Sequence, residues 1–375
     1  MMRRLLVACL LAAPIALHAQ GTLAGQGLGY PPGMLSTRAL SLGGGNAEVD
    51  AGSTTNPAAL GLMGRGGLSL QFAPEWRNTS TATASVKTKV ARFPMFIASA
   101  RVNSKIAVAG SFSTLTDRTW QISQIDTQDV GGTRYPSQLS ITSLGALSEA
   151  RAAVSYQLSE RLYLGAAIIA LTGNDRLTAA RIFPDSAAVA RITEERVWTG
   201  TGEGAQIGAV ARPDSSIEIG VSYAIGGRME ARLGDTLVAN AKSPGRMAAT
   251  VTWSGLPGAT LSARIEQRDW SKLRGLGYGR PIDARDTRDI GLGAELQGPK
   301  SGASALAIRL GFRSRDLPFR VNGLDVSETS FSGGLGLPFS FGRSSADVGV
   351  IRAVRTAGSS REQAWTLSVG FTVRP

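Results

Sequence analysis

Apolar and polar residues alternate one by one along most of this chain. The stretch from Leu162 places Leu162, Leu164, Ala166 and Ile168 on one face. The closing stretch sets Trp365, Leu367, Val369, Phe371 and Val373 against Thr366, Ser368, Gly370 and Thr372. Period two is the signature of a β-strand with one apolar and one polar face. Short turn candidates join such strands in pairs. Strands over 93–102 and 105–115 flank Asn103-Ser104, and strands over 151–158 and 161–171 flank Ser159-Glu160. Strands over 204–212 and 216–224 flank Pro213-Asp214-Ser215. The pairs 246–254 with 259–269 and 289–296 with 303–312 follow, and strands over 329–337, 345–351 and 365–373 close the chain. Weaker strands surround Trp76, Trp120 and Arg181, for a total of about fourteen. Longer polar stretches over 116–148, 172–202 and 226–245 read as loops on the rim opposite the short turns.

The faces sort the charges. After Gly258, Leu261, Ala263 and Ile265 face one way, and Ser262, Arg264, Glu266, Arg268 and Trp270 face the other. Leu306, Ile308, Leu310 and Phe312 oppose Arg309 and Arg313, and Ile217, Ile219, Val221 and Tyr223 oppose Glu218 and Ser222. A charge facing lipid at mid-bilayer costs about 2–4 kcal/mol. In a membrane wall, Arg264, Glu266, Arg268, Arg309 and Arg313 therefore face the lumen. Periodicity alone also suits a soluble β-sandwich with one solvated face.

The N-terminus favours the membrane. Met1, Met2, Arg3 and Arg4 precede an apolar run over 5–17, then His18, Ala19 and Gln20. Basic start, short apolar core and small residue make a secretory signal, with the cut expected after Ala19. The run falls short of the ~20 residues of a spanning helix, and nothing later reaches that length. Leu6-Val7-Ala8-Cys9 resembles a lipoprotein box, but a cut there would leave an apolar tail, so Cys9 reads as part of the signal core. Exported, two-faced strands point to an antiparallel transmembrane β-barrel in the outer membrane of a Gram-negative-type bacterium.

Composition then removes chemistry. Cys9 is the only cysteine and His18 the only histidine, and both lie in the expected signal. The mature chain would have no disulfide, no thiolate nucleophile, no Ser-His-Asp triad and few transition-metal ligands. No paired-carboxylate motif stands out. The expectation is a non-enzyme with no cofactor and no metal. The net charge of +12 is spread one residue per strand or loop, without interleaved aromatics, which argues against nucleic acid. It suits luminal charge and contact with outer-membrane lipid head groups. Forty-six glycines fit tight turns and close backbone approach, while 6% aromatic residues is thin for interface girdles.

Residues 20–65 break the pattern. They are rich in Gly, Ala, Ser and Asn, without clean alternation. Asn56 can cap a short helix to about Met63, and Pro57 sits where a missing N–H costs nothing. Gly43-Gly44-Gly45 lacks the spacing and the following Lys-Ser/Thr of a phosphate loop. The segment is too rich in Ala and Leu for a solvated tail, and its simplest place is inside the barrel. The expected organisation is a signal over 1–19, a plug with short helices over 20–65, and a barrel over 66–375, with no second domain.

Residues 37–61 read TRALSLGGGNAEVDAGSTTNPAALG. This resembles the opening segment of the FadL/TodX family of outer-membrane transporters of hydrophobic compounds. Arg38, Gly43, Gly44, Asn56, Pro57 and Ala58 stand where that family carries its two recurrent motifs. Pro244-Gly245-Arg246 leads into paired strands ending Asp269-Trp270-Ser271, and Gly334-Leu335-Gly336-Leu337-Pro338 lies near the end; both are similar to the family's pattern. The resemblance implies a fourteen-stranded barrel plugged by its N-terminal segment. It implies passive uptake of long-chain fatty acids or other hydrophobic molecules, which leave sideways through a gap in the wall. The family's ligand-contacting residues have no motif here, and none is carried over. A sister branch of the fold assists protein secretion and binds secreted cargo. An apolar pocket behind the plug would favour transport, and a lumen packed with polar side chains the sister role.

Overall fold

A computed structural model describes residues 23, 28–80, 85–183, 192–276, 282–301, 304–339 and 344–374. The expected signal cut lies outside the described residues.

Eighteen strand segments form one sheet. They are β1 (Gly67–Phe72), β2 (Glu75–Ser80), β3 (Ser85–Val90), β4 (Met95–Arg101), β5 (Ile106–Asp117), β6 (Trp120–Val130), β7 (Thr133–Ser159), β8 (Leu162–Ile182) and β9 (Ile192–Ala211). There follow β10 (Ile217–Leu233), β11 (Thr236–Lys242), β12 (Arg246–Leu256), β13 (Ala259–Arg268), β14 (Thr287–Ser301), β15 (Ser304–Val321), β16 (Leu324–Phe339), β17 (Ser344–Ala357) and β18 (Ser360–Val373). Four wall strands are interrupted once each: β1 and β2, β3 and β4, β5 and β6, and β11 and β12 are two halves of one strand. The wall is thus a closed antiparallel barrel of fourteen strands, sealed where β18 pairs with β1 and then β2. Pro74, Pro94 and Pro244 sit in three of the interruptions. Proline cannot donate to a ladder, so the strand yields there.

The described residues of the stretches read as long loops are mostly strand, including the weak strands expected around Trp120 and Arg181. Residues 116–148 fold into a hairpin in which β6 pairs with β7 from Trp120↔Ser143 to Val130↔Thr133. Its turn, Gly131-Gly132, has φ of 63° and 85°, the left-handed pair a two-residue hairpin needs. Residues 172–182 extend β8, 192–202 open β9, and 226–242 extend β10 into β11. β7 alone has 27 residues, against about 9–11 needed to cross a bilayer. In these extensions the inner face buries small and polar residues such as Ser137, Ser143, Asp175 and Ala180. The apolar–polar contrast fades while the ladder persists, so these segments looked like loops.

The opposite rim has tight turns, as at Asn103-Ser104 and 213–216. There the Asp214 carboxylate accepts from the Ser216 hydroxyl (2.7 Å), the Ser216 N–H (2.7 Å) and the Ile217 N–H (3.0 Å). These bonds, the Ser216 hydroxyl first, hold that carboxyl below its usual range.

Leu261, Ile265, Leu310, Val221 and Tyr223 face outward and are exposed, while Arg264, Arg268 and Arg309 are buried inside. Replacing Leu310 with Arg is expected to impair assembly by about 2–4 kcal/mol. The check is the yield of the heat-modifiable folded band on a gel. A yield equal to the unchanged protein would contradict this placement.

The N-terminal segment fills the lumen through α1 (Thr37–Ser41) and two 3₁₀ turns, Ala47–Val49 and Pro57–Leu62. The Ser36 hydroxyl caps α1 by accepting from Ala39 N–H at 3.0 Å. Gly43 and Gly44 have φ of 61° and 83°, and a Cβ on Gly43 would lie 2.3 Å from the Phe312 carbonyl oxygen. Only glycine lets this turn lie on the wall. The wall answers in kind: a Cβ at Gly165 would lie 2.3 Å from Ala58 N, and one at Gly311 would lie 2.1 Å from Gly43 N. Backbone thus packs directly on backbone.

Candidate functional site

The mid-lumen is a ring of buried ion pairs, and the plug supplies one of its anions. Glu48 is fully buried. It pairs with Arg246 and with Arg264 Nε at 3.1 Å, and Ser222 donates to it at 2.7 Å. Glu266 pairs with the same two arginines, at 2.6 Å from Arg246 Nε. Asp289 takes Arg313 Nε at 2.9 Å. Around the wall, Glu295 holds Arg38 of α1 at 2.8 Å and Arg309 Nε at 2.7 Å, and Arg309 also reaches Asp347 at 2.5 Å. Arg355 joins Glu328 and Glu362 at 2.6 Å each and Glu75 at 3.1 Å. Removing a charge of this kind from water is tolerable only with such pairing.

Asn56 ties the plug to the wall as well as capping it. Its side-chain oxygen accepts from Ala58 N–H at 3.0 Å, and its amide donates to the Glu48 carbonyl at 2.8 Å and to the Ala209 carbonyl of β9 at 3.2 Å. Ser155 of β7 donates to the Ala58 carbonyl at 3.1 Å, and Pro57 opens the 3₁₀ turn. Arg38, Gly43, Gly44, Asn56, Pro57 and Ala58 therefore lie within the plug and against the wall. Arg264, Glu266 and Arg268 gather on β13, and Arg309 and Arg313 follow on β15.

Arg268 differs from its neighbours. Its Nε is 3.5 Å from the Glu266 carboxylate and has no hydrogen-bond partner among the described residues. Its guanidinium lies 5.2 Å over the Trp270 ring. Both border a cavity of about 40 Å³, lined also by Met34, Leu35, Leu115, Asp289 and Arg313. A second cavity of about 60 Å³ lies beside Tyr30, Glu328 and Arg355. Each has room for a few waters, well below the several hundred Å³ of a ligand pocket.

Beyond Arg268 the lumen turns apolar. Leu28, Leu115, Ile169, Leu171, Met229, Trp270, Leu273 and Leu276 form one buried cluster, with Leu147 and Trp198 packed against it. Leu115 lies two residues before the break between β5 and β6. That break has no proline. Instead, Tyr30 of the N-terminal segment captures the Asp117 backbone in a bridge (N–H to O at 3.0 and 2.8 Å), and the Asp117 carboxylate accepts from Thr119 N–H at 2.8 Å. Above the break the wall is unlaced. Among the described residues β3 pairs only with β2, and β6 only with β7. At the base of this seam Arg92 joins Asp117 at 2.6 Å and Glu75 at 3.2 Å.

Sequence reasoning passed over Glu48, Tyr30 and Asp117. A signal existed for Glu48, one of only two acids in a plug rich in small and apolar residues.

No family model and no curated protein matches the chain in sequence. Solved structures do match it in shape. A FadL homologue of Pseudomonas aeruginosa superposes with a TM-score of 0.64 at 13% identity, over 92% of this chain and 99% of that one. The fold is that of the FadL/TodX transporters. The toluene transporter TbuX of Ralstonia pickettii gives a TM-score of 0.59 at 15% identity, over 91% of this chain and 98% of its own. The toluene transporter TodX of Pseudomonas putida gives 0.57 at 13%, over 92% and 98%. The FadL-type frame thus covers about nine-tenths of the chain, although few residues are shared.

Proposed function

We propose that the protein is an outer-membrane channel for uptake of hydrophobic or amphipathic small molecules, long-chain fatty acids among them, driven only by their gradient. The observation that carries this reading is the buried apolar cluster reaching from Trp270 to Leu115, beside the break in β5–β6 and the unlaced seam above it. An apolar molecule would cross the outer half of the lumen among these side chains and leave sideways into lipid. The structural neighbours named as toluene transporters support a hydrophobic cargo. Arg268, with a free donor at the edge of the apolar cluster, suits the carboxylate of an amphipathic cargo. The narrow cavities mean that passage needs the Tyr30 segment to shift.

The test is calorimetric titration of the detergent-solubilised protein with oleate and with toluene. Arg268→Gln should weaken oleate about tenfold, the loss of one charge-assisted hydrogen bond, and leave toluene unchanged. Equal effects on both would remove the head-group role. A secretion-accessory barrel of the same fold is favoured by one observation, the charge-filled mid-lumen. No binding of either compound would leave that reading standing.

A further inference from the structure

The outer wall carries a basic patch beside the seam, and we propose that it binds the phosphorylated disaccharide head group of the outer-leaflet glycolipid, lipid A. This rests on the outer-membrane reading above. Strand register fixes which side chains face out. Arg77 and Thr79 are buried inside, so their β2 neighbours Trp76, Asn78 and Ser80 face lipid. Trp76 stands opposite Lys89 of β3 and Trp365 of β18, and Trp365 stands opposite Arg352 of β17. One row across four strands therefore reads Lys89, Trp76, Trp365, Arg352. The ammonium of Lys89 lies 5.7 Å over the Trp76 ring, and the guanidinium of Arg352 lies 5.5 Å over the Trp365 ring. Phe331 and Phe312 continue the row, with ring centroids 5.3 Å apart. Four aromatic side chains in one outward row are the arrangement a girdle uses at a membrane interface.

Two more cations stand on the rim side of that row: Lys87, opposite Asn78, and Arg361, opposite Ser80. All four basic residues are exposed, and none forms an ion pair among the described residues. The carboxylates on β2, β17 and β18 (Glu75, Asp347 and Glu362) point inward into the ion-pair ring. Toward the other rim the same outer face becomes Val348, Val350, Phe371 and Val373, which are exposed and apolar. The cations therefore lie on one side only, the side of the long hairpins, which in such barrels faces out of the cell. Row spacing of about 4.8 Å per strand spreads the four over about 14 Å, a scale suited to two phosphates on one sugar pair rather than to one. Arginine and lysine on aromatic rings, at head-group depth and without internal anions, are complementary to phosphate.

The experiment is native mass spectrometry of the purified full chain in detergent after incubation with bisphosphorylated lipid A, with the same lipid dephosphorylated, and with phosphatidylglycerol. The unchanged protein should retain bisphosphorylated lipid A, and the variant K87Q/K89Q/R352Q/R361Q should retain it about tenfold less. Equal retention by the two proteins would overturn the proposal. So would equal retention of the dephosphorylated lipid, or equally tight phosphatidylglycerol, by the unchanged protein; these two comparisons need no variant. Gel heat-modifiability is read on every sample. A heat-modifiable barrel that retains no phosphorylated lipid sinks this site alone, whereas a chain that is not heat-modifiable sinks the membrane reading beneath it.

Discussion

Replacing Glu48 with Gln is expected to destabilise the folded protein by about 3–5 kcal/mol. Glu48 is the plug anion shared by Arg246 and Arg264, and all three side chains are almost wholly out of water. Glutamine has nearly the same shape, so the plug would still seat and still exclude water. Two guanidiniums would keep Glu266 but lose the charge facing them from the lumen side. The measurement is the temperature at which the unboiled, fast-migrating band disappears in detergent, which should fall well below that of the unchanged protein. An unshifted transition would mean that the ring is wetter than its burial indicates.

Deleting residues 21–62 while keeping residues 1–20 has a different expected result. The barrel should still assemble, because β18 closes on β1 and β2 without the plug. Water would then enter and hydrate Arg246 and Arg264, so the electrostatic cost should be smaller than in Glu48→Gln, although more residues are lost. Pore behaviour should change most. Planar-bilayer recordings should show stable conductance of small ions in the truncated protein and little in the full chain, while specific uptake of hydrophobic compounds falls. Unchanged conductance would rule out a plug.

The fold was legible wherever its cause is local. Period-two alternation follows from the pleat, so strands such as the one through Leu261, Ala263 and Ile265 could be read residue by residue, along with the inward direction of Arg264 and Arg309. Over 116–148, 172–182 and 192–202 only weak strands around Trp120 and Arg181 were legible; the length of the extensions was not, because a buried face made of residues such as Ser137, Ser143 and Asp175 leaves no apolar stripe. The interruptions at Pro74, Pro94 and Pro244 had a readable cause. The one after Asp117 had none in its own neighbourhood, since Tyr30 makes it from far away in sequence. The candidate site divides along the same line. Asn56 and Pro57 were readable as a cap because the capping bond, from Ala58 N–H to the Asn56 side-chain oxygen, spans two positions, whereas the bond of the Asn56 amide to Ala209 spans 153 and was not. The partnership of Arg38 with Glu295 spans 257 positions, and that of Glu48 with Arg246 spans 198; distances of that kind are set by the closed wall, not by local pattern.

The measurement closest to the central claim is uptake of labelled oleate and toluene by cells that lack other hydrophobic-compound channels, with and without this protein in the outer membrane. Uptake of at least one compound should rise with expression and should not depend on an energised membrane. Uptake unchanged by a correctly assembled, heat-modifiable barrel would contradict a hydrophobic-compound channel.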